Sequence, residues 1–376
     1  MNRRDFLTYS AASLAAVLTA RQSGFAAWTE NEEGFGFPQR RLLIDAHAHP
    51  DIFGCTDTWC DQASTIEKIT QLRMNLSSFA VTGDHATETA CIKYSFDDTW
   101  NRLLGVVGFE TQGRIRIVRR VTDIPEYAPL NQFIPGALLG LEGAAPLISP
   151  AVGAAGVPPL EVVRARIDAL YDLGIRCITP MHSCSNELGS AMNDVLPPGT
   201  GGLTALGRTV VMALMKKGII VDVAHSHVTT LRDIVALALR HGVPIVDSHT
   251  SLGHASNTGS RRRTIEEMQW IARTGGVVCT WPVQVCLPDG SSCPRNSVED
   301  WAGENATIAG EIGAEHIGLG TDGGGIGNLA NLVEGYTSIL DLPELADAMR
   351  KAGFARQDVA AYMGRNFLRV LARCVG

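Results

Sequence analysis

Short apolar or β-branched runs alternate along this chain with longer stretches in which apolar residues recur at helical spacing. Eight runs are predicted as strands: Leu42–Ile44, Ser78–Thr82, Ala137–Leu141, Arg176–Thr179, Ile219–Val223, Pro244–Val246, Val277–Trp281 and Ile317–Gly320. Most read as strands with both faces hidden, which is the pattern of a covered parallel sheet. Between them, Pro159–Leu173, Leu206–Lys217, Val228–Arg240 and Ile265–Arg273 read as amphipathic helices, with Gly174, Gly218, Gly242 and Gly275 placed as C-caps. Strand, loop, helix and glycine in repeated order imply parallel crossovers, and eight strands favour a closed barrel over an open sheet. The tail from Leu342 to Val375 is predicted as two helices joined at Gly364-Arg365-Asn366-Phe367, and 146–159 and 197–202 as surface loops on the rim. The expected fold is thus α/β: a (β/α)8 TIM barrel with C-terminal helices, in one domain.

The chain has 376 residues, which a barrel accommodates without division into smaller domains. Its net charge is -7 with the two signs interspersed, so nucleic acid and anionic membrane surfaces are not expected partners, whereas small polar substrates are. The first residues carry Arg3 and Arg4, then Phe6 and Leu7, then a weakly apolar run ending near Ala26. That order matches a twin-arginine signal peptide over 1–26, with a single barrel domain over 27–376. The expectation is export by the twin-arginine machinery to the periplasm or outside the cell, with no integral membrane segment in the mature chain. Nine cysteines suit an oxidising compartment, and Cys55 with Cys60 and Cys286 with Cys293 are close enough in sequence to bridge within loops.

Candidate chemistry collects where the predicted strands end. His47 and His49 follow the first, Glu142 the third, His182 the fourth, His225 the fifth, His249 the sixth and Asp322 the eighth. Barrel enzymes place their reacting groups on this rim. Imidazoles and carboxylates gathered there suit a pair of borderline-soft divalent cations, so a metallohydrolase is the first reading. In His47-Ala48-His49 the two imidazoles fall on one side of an extended chain and can reach one cation. Asp45, Asp222 and Asp247 precede ligand histidines and are expected to orient them. Gly320-Thr321-Asp322-Gly323-Gly324-Gly325 has no following lysine and is not read as a phosphate loop.

These residues stand in segments that resemble the membrane (renal) dipeptidase family, metallopeptidases with an amidohydrolase-like barrel. The matching segments are Leu139–Gly143, Gly174–His182, Leu203 through His225, Pro244–Ser251, Glu315–Gly323 and Gly364–Val370, in order over roughly 42–372. The resemblance implies two Zn2+ ions, with His47 and His49 on one, His225 and His249 on the other and Glu142 bridging both. It implies Asp322 and His182 as catalytic residues, His182 also touching substrate, and a possible homodimer. The family's substrate-carboxylate arginine falls in Arg261-Arg262-Arg263 and is read as Arg262, whose planar guanidinium suits a carboxylate. Two positions depart from the family pattern: His49 stands where an aspartate is usual, and Ser77-Ser78-Phe79 where a Gln-aromatic-aromatic-Ser run is common.

The expected activity is zinc-dependent hydrolysis of small dipeptide substrates by a hydroxide bridging the metals, with Asp322 moving the proton and His182 steadying the oxyanion. Two rivals use the same residues. One is another amidohydrolase reaction, on an N-acyl amino acid or a lactone, for which Arg262 is dispensable. The other is an exported metal- or peptide-binding protein without turnover, which gives no role to Asp322 and His182.

Overall fold

The computed structural model describes residues 42–376 apart from 51–65, 88–89, 127, 152–154, 193–195, 198–199, 254–261, 287–292 and 325–330. The signal segment, Cys55, Cys60, His254, Arg261 and Gly325 lie outside the described residues. The strands are β1 (Ile44–Asp45), β2 (Leu76–Thr82), β3 (Asp84–Ala86), β4 (Cys91–Lys93), β5 (Arg116–Ile117), β6 (Gly136–Glu142), β7 (Ile175–Thr179), β8 (Ile220–Val221), β9 (Val246–Leu252), β10 (Arg262–Arg263), β11 (Val277–Thr280) and β12 (Ile317–Leu319). Parallel pairing runs β1-β2-β6-β7-β8 in one arc and β9-β11-β12 in the other. Two seams join the arcs. Asp222 bridges Val246 between β8 and β9, and beyond β12 Ala48 bridges Gly323 while the Ala46 amide donates to Leu319 O at 3.0 Å. The eight expected strands therefore form a closed parallel ring.

Helices Leu160–Leu173, Ala205–Lys217, Val228–His241, Ile265–Arg273 and Val298–Ile312 pack outside the ring. Their starts are chemically set: Thr204, Thr264 and Ser297 accept amides of the first turn, and Glu267 and Asp300 complete capping boxes. Gly218 and Gly242 end two helices at φ 84° and 65°, where a Cβ would be strained. A smaller apolar cluster joins Ile44, Leu138, Cys177, Ile220, Val277 and Cys279 of the strands to Phe367, Val370 and Leu371 of the last helix, Asn366–Val375. Asn366 fixes that helix by donating to Ala314 O and Ile317 O, both at 2.8 Å.

Three expectations are corrected. β9 begins where the predicted strand ends and runs on through Asp247, Ser248 and His249, so His249 sits inside a strand. Apolar patterning missed this because the strand's polar side chains pair internally, Asp247 with Arg263 and Ser248 with Asp222. The expected loop 146–159 opens with a buried helical turn, Ala145–Ile148. The tail forms Leu342–Lys351 and Arg356–Ala360, then a wider turn into Asn366–Val375, instead of two helices. The antiparallel hairpin of β3 and β4 was not foreseen.

Candidate metal centre and active site

Glu142 is the last residue of β6 and is buried. Its Oε1 lies 2.9 Å from His225 Nε2, 3.4 Å from His47 Nε2 and 3.5 Å from His249 Nε2. Its Oε2 lies 3.2 Å from His49 Nε2 and 3.4 Å from His182 Nε2. Asp322 joins from the other side of the seam, its Oδ1 3.5 Å from His49 Nε2 and 3.8 Å from His47 Nε2. All seven of these sequence-predicted residues thus meet at one mouth of the ring, where the parallel strands end. His225 and Asp322 hold φ of 64° and 52°, left-handed conformations unfavourable for residues with a Cβ. Gly324 permits the seam to close, since a Cβ there would stand 2.0 Å from His49 O.

Two of the imidazoles hold a ring proton on Nδ1, away from the centre, and turn Nε2 inward. His49 Nδ1 sits 2.9 Å from Ala80 O, which can only accept, so a ring proton is held there and Nε2 is turned to the centre. Ser248 Oγ donates to Asp222 Oδ2 at 2.6 Å, so His249 Nδ1, 2.8 Å away, gives its own proton to that hydroxyl. His47 and His49 bring their Nε2 atoms to 3.1 Å, and His225 and His249 theirs to 3.0 Å. Imidazole nitrogens gathered round a buried carboxylate make a donor set for divalent cations once their protons are displaced. The electrostatics agree: burial opposes ionisation of Glu142, yet His182, His47 and His225 hold its carboxyl well below the usual range. Burial also opposes charge on His47, but Glu142 and Asp322 raise it to about 9, so the cluster draws in positive charge.

Three groups of potential ligand atoms lie within 4.8 Å of one another: His47 with His49 and Asp322, His47 with Glu142 and His249, and Glu142 with His182 and His225. A fourth group, Asp84 with Cys91 and Cys184, is not a cation site, because its sulfurs are bonded to each other. Cys286 and Cys293, close enough in sequence to bridge, are bonded to each other. The carboxylates that flank the ligands differ in role. Asp222 reaches His249 through Ser248, Asp45 accepts the amide and hydroxyl of Thr321 and the amide of His47, and Asp247 pairs with buried Arg263 at 2.8 Å. Arg263 also donates to Ser226 O and Val223 O, so it is a brace of the barrel. Arg262 is half-buried and gives Nη2 to Cys286 O at 3.2 Å; among the described residues no bond joins it to the histidine cluster. The sequence reading missed Asp84, which touches His182 and Ser183, and Trp281, whose ring lies 5.6 Å from that of His249.

The sequence matches the family model described as membrane dipeptidase, peptidase family M19, over residues 139–374. It is 26% identical over 226 residues to the dipeptidase aclJ of Aspergillus oryzae, covering 60% of this chain and 51% of that protein. It is 28% identical over 203 residues to the dipeptidase verJ of Clonostachys rogersoniana, covering 54% and 49%. The matched stretch spans about half the length of these curated relatives. A solved metallopeptidase of Rhodobacter sphaeroides, bound to a phosphinate mimic of the dipeptide L-Ala-D-Ala, superposes with a TM-score of 0.69 at 17% identity, covering 89% of this chain and 99% of that one. At that identity the likeness speaks to the fold.

Proposed function

The chain belongs to the membrane dipeptidase family, peptidase family M19, and from that premise we propose that it hydrolyses dipeptides with two divalent cations, zinc by the nature of the donors. The observation that carries the proposal is Glu142, one buried carboxylate presenting both oxygens to five imidazoles. His47 and His49 would hold one cation, His225 and His249 the other, and Glu142 both. When bound, the cations would supply an activated water and a Lewis acid for the carbonyl.

The remaining work falls to the protein's own groups. Asp322 stands beside His49 on the buried side of the seam, where its carboxylate can accept a proton from the attacking water and return it to the departing amine. His182 presents Nε2 to the centre beside Glu142, placed to donate to the carbonyl oxygen as charge develops on it. Arg262 is assigned the free carboxylate of the dipeptide, which requires its guanidinium to leave Cys286 O when substrate binds. Export in folded form completes the proposal, supported by Arg3 and Arg4 and by the two disulfides among the described residues.

The test is a library of L,L and L,D dipeptides offered to the purified protein, with cations counted on the same sample. Release of free amino acids with two cations per chain is the expected result. Two cations with no dipeptide cleaved, but an N-acyl amino acid or lactone hydrolysed, would overturn the substrate assignment.

A further inference from the structure

We propose that Asp84 is a positioning residue for His182. It opens β3, two residues beyond the end of β2, and is buried. Its Oδ1 lies 3.1 Å from His182 Nδ1 and accepts the Ser183 amide at 3.0 Å, while its main-chain O lies 3.2 Å from the same Nδ1. One residue thus holds both the ring and the peptide that follows it. Since a carboxylate and a carbonyl can only accept, the Nδ1 proton is kept there whether or not Nε2 also carries one. Nε2 is left facing Glu142 Oε2 at 3.4 Å.

The surroundings are shaped for this couple. A Cβ on Gly143, the residue after Glu142, would lie 2.8 Å from Asp84 Oδ2 and 2.9 Å from His182 Cβ. A Cβ on Gly83 would stand 1.8 Å from Gly143 O, so two glycines let the ends of β2 and β6 close beneath the pair. The hairpin that begins at Asp84 is also fastened to the loop after His182. Cys91 is bonded to Cys184, and Lys93 Nζ lies 3.0 Å from Glu187 Oε1. Asp45, Asp222 and Asp247 make no direct bond of this kind to a ring of the centre among the described residues. Asp84 therefore sets the plane of the imidazole, with Ser183 Oγ, 3.3 Å from Nδ1, as a weaker neighbour.

The kinetic part of the test rests on the dipeptidase reading; the spectroscopic part does not. In zinc-loaded Asp84→Asn, kcat should fall about 10–100-fold, with KM within about twofold and cation content unchanged. In a His182→Ala background the same substitution should change nothing further. Ring 15N spectra of the zinc-loaded wild type should show His182 protonated at Nδ1, and the Asn variant should lose that single form. Independent, multiplying losses in the double variant, or a wild-type His182 bare at Nδ1, would overturn the proposal. The wild-type spectrum decides it even where the variant does not fold, and a wild type that cleaves no dipeptide would remove the activity assignment while leaving the ring measurement to stand.

Discussion

Glu142 is surrounded by imidazoles on both of its oxygens, so its negative charge is what allows five ring nitrogens to face one space. Glu142→Gln should leave less than one cation per chain after dialysis and lower kcat/KM by at least about 100-fold; metal analysis and steady-state rates check both. As a metal ligand His49 would supply a nitrogen where relatives are expected to supply a carboxylate, which would leave bound cations less compensated. His49→Asp should therefore slow inactivation by a chelator by about tenfold or more, measured as the half-time of activity loss in excess EDTA. The ligands were legible in the sequence because each stood near the end of an apolar run. Asp84 was not, since Gly83-Asp84-His85-Ala86 carries no periodicity and its partner is 98 residues away. Arg262 was favoured over Arg263 by resemblance alone: neighbours on a strand face opposite ways, and the fold shows that Asp247 claims the second.

At the level of elements, the second arc depends on a buried ion pair. Arg295 donates to Glu304 Oε1 at 2.7 Å and to Ser251 Oγ at 2.8 Å, and Glu304 also accepts the Leu252 amide at 3.1 Å, which ties the end of β9 to helix Val298–Ile312. Burial pushes the Glu304 carboxyl up despite Arg295. Glu304→Gln should destabilise the fold by about 3–5 kcal/mol, because it strands a buried guanidinium, whereas the Arg295→Met/Glu304→Leu double variant should recover much of that loss. Thermal unfolding of the three proteins decides it, and equal damage in single and double variants would refute the argument. The order and parallel sense of the barrel strands were legible because their apolar cores alternate with capped amphipathic helices. The length of β9 was not, because polar residues that satisfy one another look like a loop until their partners are known.

Across the whole molecule, buried charges set how the cation-free protein answers pH. Burial raises Asp45 and Asp247 to about 6, and Glu142 and Asp322 raise His47 to about 9 against the effect of its own burial. The contributions of the two aspartates are complete below about 3.8 and lost as pH rises through about 6; that of His47 is complete below about 6.5 and lost through about 9. Glu142 runs the other way, contributing above its ordinary 4.5 and losing that contribution only well below it. Stripped of cations, the protein should lose on the order of 3 kcal/mol between pH 6.5 and 9 from His47 alone. Zinc should flatten that slope by taking the proton's place; thermal melts at the two pH values, with and without zinc, measure it. The seam beyond β12 adds a consequence in time. Asp45 and Thr321 meet there across 276 residues of chain, and the two sides carry His47, His49 and Asp322. Contacts of such separation form late in folding, so a complete cation site does not exist until the first and last strands have found each other. Bound cations would then act as a clasp on the final closure, and the appearance of activity in a refolding experiment would mark the moment at which the ring has shut.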